Sequence, residues 1–184
     1  MKPIGKKTLF VGSIVLGIAL VLGNAVIARV RAPSPVLTHP LTDKIDIAEQ
    51  VQLDAIPLLR RAGYTNIIDL RPDGEAADQP PSAQVETAVL ANRMSFSYVP
   101  VVHGDIPANT VLALEHAITK QGGRTLLYCR SGRRAARTWS LVEASRSGGM
   151  DAAAILAAVK RSGQSADDLN PAIQARIAAR KAAP

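Results

Sequence analysis

Residues 125–141 read TLLYCRSGRRAARTWSL. The short apolar run TLLYC predicts a buried strand that ends at Cys129, the sole cysteine of the chain. Gly132 permits a tight turn with positive φ, and a helix is predicted from Arg133. Amides of such a turn point at the sulfur from the positive end of the following helix, which stabilises a thiolate and binds an oxyanion. The alternative is a buried structural cysteine beside a solvated, basic helix start.

Arginine is the dominant side chain of this turn. Arg130, Arg133 and Arg134 follow the cysteine within five residues. A guanidinium can clamp a phosphate or a thiosulfate with two parallel hydrogen bonds, and at least one of the three is expected to do so. The turn is therefore predicted to bind an anion.

Outward from this turn, short apolar runs alternate with longer helical patterns. Strands are predicted over residues 45–50, 65–70, 96–101 and 125–129. The alternation predicts an α/β fold with a parallel-type central sheet flanked by helices. In such sheets ligands bind beyond the carboxyl ends of the strands, so the loops 71–81, 102–107 and 129–134 are expected to meet there.

The N-terminal segment has a different composition. Residues 9–28 are 20 residues without a charge, preceded by lysines and followed by Arg29 and Arg31. This length predicts one N-terminal transmembrane helix, with a cleaved signal peptide as the alternative. The three preceding lysines favour a cytoplasmic N-terminus and a domain on the outer, periplasmic face. The predicted organisation is an anchor or signal at 1–28, a proline-rich linker at 29–42 and a globular domain at 43–184.

Charge and cysteine content exclude several classes of function. The chain has a net charge of +7, but residues 1–35 hold five basic and no acidic side chains, which leaves the rest at +2. No nucleic-acid partner is therefore expected. One cysteine cannot form an internal disulfide, and three scattered histidines lack metal-ligand spacing. Neither a metal nor an organic cofactor is expected.

Four segments together resemble a known family. They are IIDLRPDGE (67–75), QPPS (79–82), YVPV with a following glycine (98–104) and YCRSGRRAARTW (128–139). In this order they are similar to the phosphatase-like domain of beta-lactamase hydrolase-like proteins, bacterial relatives of the dual-specificity and tyrosine phosphatases. The resemblance covers residues 43–180 and implies a cysteine-phosphatase-like fold.

The resemblance also implies roles for individual residues. Cys129 is the expected nucleophile and forms a phosphoenzyme, and residues 130–134 are the loop that holds the phosphate. Its members are Arg130, Ser131, Gly132, Arg133 and Arg134. The expected substrate is a phosphorylated protein or small molecule.

Three residues compete for the role of general acid. The resemblance places it in the loop after the 96–101 strand, where Asp105 lies. Asp73, in the RPDGE turn, is the rival, and His103 is a third candidate. Arg71 and Asp73 are also expected to contribute to substrate binding, although Asp73 can equally hold Arg71 or cap the turn.

Three departures from the phosphatase pattern leave other functions open. Tyr128 stands where the family of tyrosine phosphatases has histidine, Arg134 gives the spacing C-x4-R in place of C-x5-R, and Ala135 replaces a hydroxyl residue. The shorter loop is similar to that of rhodanese-type sulfurtransferases, which would carry a persulfide on Cys129. Ala135 also fits a catalytically silent module that binds an anion or a phosphoprotein.

Overall fold

The computed structural model describes residues 35–120 and 122–182, which contain a five-stranded sheet. Its strands are β1 (Thr38–Pro40), β2 (Ile45–Ala48), β3 (Tyr64–Asp69), β4 (Ser95–Tyr98) and β5 (Arg124–Tyr128). The order across the sheet is β1-β2-β5-β3-β4. The last four strands run parallel, and each begins within one residue of its predicted start.

Strand β1 corrects the expectation of a purely parallel sheet. It pairs with β2 in the antiparallel sense, with Thr38 opposite Ala48, so the sheet is mixed. Residues 38–40 were assigned to the linker because two nearby prolines hide any periodicity. Pro40 is tolerated because an edge strand leaves one side of its backbone unpaired. The folded part of the chain therefore includes residues before Asp43.

In the described part of the chain, six helices cover the two faces of the sheet. They are α1 (Ile56–Arg61), α2 (Ser82–Ala91), α3 (Ala108–Lys120), α4 (Arg133–Ser145), α5 (Ala152–Arg161) and α6 (Asn170–Ala182). Short 3-10 turns precede α1 and α6. Pro57 lies in the first turn of α1, where its fixed φ is compatible with a helix start.

Alternation along β5 separates two cores. Leu127 is fully buried against the face that carries α3, α4, α5 and α6. Leu126 and Tyr128 are fully buried against α1 and α2 on the other face. Because both faces of the central strand are covered, the end of β5 is a rigid base for the residues that follow it.

The parallel strands end in register at one edge of the sheet. Tyr128 at the end of β5 is paired with Ala48 and with Asp69, and Asp69 is paired with Tyr98. The segments that follow these four residues consequently emerge side by side. This alignment brings the three predicted loops to the same edge.

Helix α4 is held at its carboxyl end by Arg180 from α6. The Nη1 group of Arg180 donates to the carbonyl of Glu143 at 2.8 Å, and Nη2 donates to the carbonyls of Gly149 and Met150 at 2.8 and 2.7 Å. A cation at this position also interacts favourably with the helix dipole. The C-terminal helix thus fixes the helix that begins at the predicted anion-binding turn.

Within residues 35–120 and 122–182, no helix is both long and apolar enough to cross a membrane. The predicted span at 9–28 and the first part of the linker lie outside the described residues.

Candidate functional site

Cys129 directly follows β5 and is 1% exposed. Gly132 has a φ of +78° and precedes α4. This positive φ favours glycine, and a Cβ here would also crowd Cδ1 of Ile47, which would lie 3.3 Å away.

The loop between the cysteine and the helix is held from two sides. Ser131 forms a backbone bridge with Glu49 after β2. Nε2 of Gln164, which follows α5, donates to the carbonyl of Ser131 at 3.0 Å. Arg130, Ser131 and Arg133 are exposed, as residues that meet a ligand must be.

Arg134 is oriented by Glu75. Its Nη1 and Nη2 groups donate to Oε1 and Oε2 of Glu75 at 2.6 and 2.7 Å, and Nη1 also donates to the carbonyl of Val101 at 2.8 Å. The Arg134 side chain is 13% exposed. Glu75 first, and then Cys129, raise the pKa of Arg134 above its ordinary value.

Two donors of Arg134 remain for a ligand. A guanidinium has five N–H groups. In Arg134, one Nη1–H and one Nη2–H bind Glu75, and the other Nη1–H binds the carbonyl of Val101. The Nε–H and the second Nη2–H lie along one edge, the geometry that binds phosphate or sulfate in a bidentate manner.

Arg71 holds Glu75 from the other side, and its contribution to substrate binding stays a prediction. Arg71 is 4% exposed, and its Nε donates to Oε2 of Glu75 at 3.1 Å while Nη1 donates to Oε1 of Gln50 at 2.7 Å. Arg134 first, and then Arg71, lower the pKa of Glu75. Sequence reasoning missed Glu75 and Gln50, although the spacing of four between Arg71 and Glu75 is a signal for an ion pair.

Asp73 caps helix α2. Its Oδ1 accepts the backbone N–H of Ser82 at 2.8 Å, and its Oδ2 accepts the Ser82 hydroxyl at 2.6 Å. Ser82 itself is the first helical residue and makes no cap bond of its own. Both carboxylate oxygens of Asp73 are therefore engaged within the fold.

Asp105 lies in a hollow of about 220 Å³ between the loop after β4 and the start of α4. The hollow is lined by Val101, Val102, His103, Gly104, Asp105, Ile106, Arg133, Arg134 and Arg137. The structure thus brings Asp105 and His103 to the same hollow as Arg134, and Asp105 is exposed. A carboxyl group here can meet a ligand that Arg134 binds.

A larger hollow of about 590 Å³ contains none of the predicted site residues. Trp139 and Val142 of α4 and Ile45 of β2 contribute to its apolar lining. Volume alone therefore does not mark the candidate site, which is identified by its charged groups.

Tyr128 and Asp69 are buried at the ends of neighbouring strands, and the Tyr128 hydroxyl has no hydrogen-bond partner among the described residues. Tyr128 is fully buried, and burial first, then the Asp69 carboxylate, raise the pKa of its hydroxyl. Burial raises the pKa of Asp69 from 3.8 to about 6, while Oδ1 accepts the backbone N–H of Arg71 at 2.8 Å. Tyr128 does not supply the positive charge that a histidine can place beside the cysteine.

Within residues 35–120 and 122–182, no cluster of three or more histidine, cysteine, aspartate or glutamate side chains is arranged to hold a metal ion.

Comparison with known proteins identifies relatives over much of the chain. The model of the family described as "Beta-lactamase hydrolase-like protein, phosphatase-like domain" matches residues 38–146. A beta-lactamase hydrolase-like protein of Xylella fastidiosa is 32% identical over 103 residues, which are 56% of this chain. Those residues are 24% of the relative, so the chain matches about a quarter of its length.

Solved structures share the fold. A Neisseria meningitidis protein provisionally described as a phosphatase superimposes with a TM-score of 0.65 at 24% identity, over 75% of this chain and 96% of that chain. Kinase associated phosphatase, solved with its catalytic site cysteine substituted by serine, gives a TM-score of 0.63 at 12% identity, over 83% of this chain and 99% of that chain. The central sheet and its flanking helices are therefore those of a cysteine-phosphatase-like fold.

Replacing Glu75 by alanine should destabilise the protein by about 2 kcal/mol, because it leaves two largely buried guanidinium groups without a counter-charge. Urea denaturation measures the change. Sulfate should restore part of the loss, since an oxyanion can occupy the place of the carboxylate. Glu86→Ala, on the exposed side of α2, is the matched control and should change stability by about 0.5 kcal/mol or less. Equal losses in the two variants would contradict this role.

Asp69→Asn should flatten the pH dependence of stability between pH 3.8 and about 6. A carboxyl group whose pKa is raised on folding stabilises the protein below its ordinary pKa, and this contribution is lost as the pH rises through the folded value. The asparagine variant lacks this loss, which amounts to at most about 3 kcal/mol, and its Oδ1 can still accept the Arg71 N–H. Denaturation series of both proteins from pH 3.5 to 7.5 measure the difference. Parallel curves would show that Asp69 titrates as it does in the unfolded chain.

Proposed function

We propose that this chain, which belongs to the phosphatase-like domain family of beta-lactamase hydrolase-like proteins, is a cysteine-dependent phosphatase. Its proposed reaction is the hydrolysis of phosphate monoesters. The orientation of Arg134 carries this proposal. Glu75 and Val101 take three of its donors, and the two that remain form a bidentate fork at the end of the loop that begins at Cys129. An arginine arranged in this way suits the equatorial oxygens of a phosphoryl group.

In the first step, the Cys129 thiolate attacks phosphorus and forms the S–P bond while the P–O bond to the leaving group breaks. The amides of residues 130–134 and the free edge of Arg134 bind the phosphoryl oxygens. Asp105 gives its proton to the leaving oxygen, which departs as an alcohol or phenol. Asp105 is preferred to Asp73 because it is exposed in the hollow, whereas Asp73 caps α2.

In the second step, water attacks the phosphorus of the phosphocysteine. The Asp105 carboxylate accepts a proton from that water, the S–P bond breaks, and inorganic phosphate leaves with the thiolate restored. Ala135 is fully buried and offers no hydroxyl to the departing sulfur. We therefore expect this step to depend on the loop amides and to limit turnover.

Sulfur transfer is the second candidate, and the four residues between Cys129 and Arg134 favour it. A shorter loop encloses a smaller anion-binding site, which suits a persulfide on the cysteine. Thiosulfate would then transfer its outer sulfur to Cys129 and release sulfite. A protein that binds phosphate but turns over neither substrate would be the silent module that Ala135 permits.

We propose further that residues 9–28 anchor the protein in a membrane by a single span, with the phosphatase-like domain on the outer, periplasmic side. Support comes from the 20 uncharged residues and from the lysines that precede them.

Asp105→Asn should lower the hydrolysis of alkyl phosphates by roughly 10²-fold, because an alkoxide needs a proton to leave. Aryl phosphates with good leaving groups should lose much less, and transfer of sulfur from thiosulfate to cyanide, if the protein performs it, should barely change. Steady-state rates on a matched alkyl and aryl pair measure the split. Cys129→Ser should abolish activity with either phosphate.

Asp73→Asn is the control for this assignment. Since Asp73 holds the loop that carries Glu75, its loss should affect alkyl and aryl phosphates by similar factors. A selective loss on alkyl phosphates in this variant, and not in Asp105→Asn, would transfer the role of acid to Asp73. Efficient use of thiosulfate with no hydrolysis of any ester would contradict the phosphatase proposal.

The membrane anchor predicts that the mature protein retains its first residues. Intact-mass analysis of the membrane fraction should find Met1 or Lys2 at the N-terminus, and alkaline carbonate should not extract the protein. A mature N-terminus at Arg29 would instead identify a cleaved signal peptide.

A further inference from the structure

The hollow beside Arg134 contains a cation that has no salt-bridge partner among residues 35–120 and 122–182. Arg133, Arg134 and Arg137 all line it. Arg134 is paired with Glu75, and Arg137 is paired with Asp168 through both carboxylate oxygens. Arg133 is exposed, and no carboxylate within residues 35–120 and 122–182 forms a salt bridge with it. Its charge is therefore available to a ligand.

Arg133 and Arg137 are four residues apart in α4, so their side chains share one face of the helix. Arg137 first, and to a smaller extent Arg133, lower the pKa of Asp168, which places both cations near the same carboxylate. A second anionic group that enters the hollow would consequently meet Arg133 directly, with Arg137 behind it. Arg134 would remain free for the phosphate that is cleaved.

The size and the lining of the hollow fit a compact anion with more than one charged group. Its volume of about 220 Å³ equals the space of about seven water molecules, which exceeds the four oxygens of one phosphate. The opposite wall is the loop 101–106, in which the aliphatic Val101, Val102 and Ile106 lie beside His103 and Asp105, and no phenyl, phenol or indole ring is among the lining residues. The phenyl ring of a phosphotyrosyl substrate would lie beside the arginines of this hollow, with no phenyl, phenol or indole ring to pack against.

We propose that the substrate is a small molecule with two phosphate groups, of which one is cleaved at Cys129 while Arg133 binds the other. This inference rests on the phosphatase proposal, and it assigns to that site a substrate class.

The test uses the full chain and two competing anions. Pyrophosphate and orthophosphate are compared, at constant ionic strength, as inhibitors of the hydrolysis of p-nitrophenyl phosphate. Pyrophosphate should bind at least about tenfold more tightly, because one additional charge-assisted contact has this effect. Arg133→Gln should narrow the ratio of the two inhibition constants by about tenfold.

Arg60→Gln is the matched control, since it removes the same charge from an exposed position at the end of α1. It should leave the ratio unchanged. Equal inhibition constants in the wild-type protein, or a ratio that Arg133→Gln does not alter, would overturn the proposal. So would propyl phosphate, an alkyl phosphate with a matched leaving group, if it is hydrolysed with a higher kcat/KM than propane-1,3-diyl bisphosphate.

The second anion site can be tested even if the protein has no phosphatase activity. Calorimetric titration of Cys129→Ser with the two anions gives the same ratio as an equilibrium measurement. A preference for pyrophosphate that Arg133→Gln removes would support the second anion site while the phosphatase proposal fails. No preference in this titration would overturn the site itself.

Discussion

One carboxylate, Glu75, sets the direction in which the guanidinium of Arg134 points. It accepts hydrogen bonds from Arg134 and Arg71 together, and Arg71 is in turn fixed by Gln50 and by the end of β3. Because β2, β3 and β5 end in register, these groups come from three neighbouring segments of one rigid edge. The free edge of Arg134 is thus oriented before any ligand arrives, which lowers the entropy cost of binding and the reorganisation during reaction.

The same rigidity extends to the loop that follows Cys129. Ser131 is held by a bridge to Glu49 and by Gln164, and Gly132 allows the backbone to pass close to Ile47. Helix α4 then leads away from the loop and is capped at its far end by Arg180. A helix fixed at both ends presents its first-turn arginines at constant positions, which suits recognition of an anion by its shape as well as its charge.

Local patterns predicted much of this arrangement. Apolar runs located the four parallel strands to within one residue at their starts, and Cys129 with its arginines marked the loop, because each of these signals lies within about ten residues. Strand β1 was missed because three residues next to prolines show no period. Glu75 was missed because its partner Arg134 is 59 residues away, and only the folded sheet edge brings the two together. The capping of α2 by Asp73 is closer in sequence, nine residues before Ser82, but the irregular loop between the two residues has no period that predicts the contact.

The contrast between Asp73 and Asp105 shows why residue type in a motif does not settle a chemical role. A general acid must reach the leaving oxygen and must release and regain a proton within each cycle, and structural hydrogen bonds that hold both carboxylate oxygens elsewhere oppose both requirements. Asp73 accepts two such bonds at the start of α2, and protonation would break them and loosen the loop that carries Glu75. Asp105 stands in an exposed loop that lines the hollow, where proton exchange disturbs no element of the fold. Loss of activity on changing Asp73 is therefore expected from misplacement of Arg134 alone, and only the dependence on the leaving group separates the two roles.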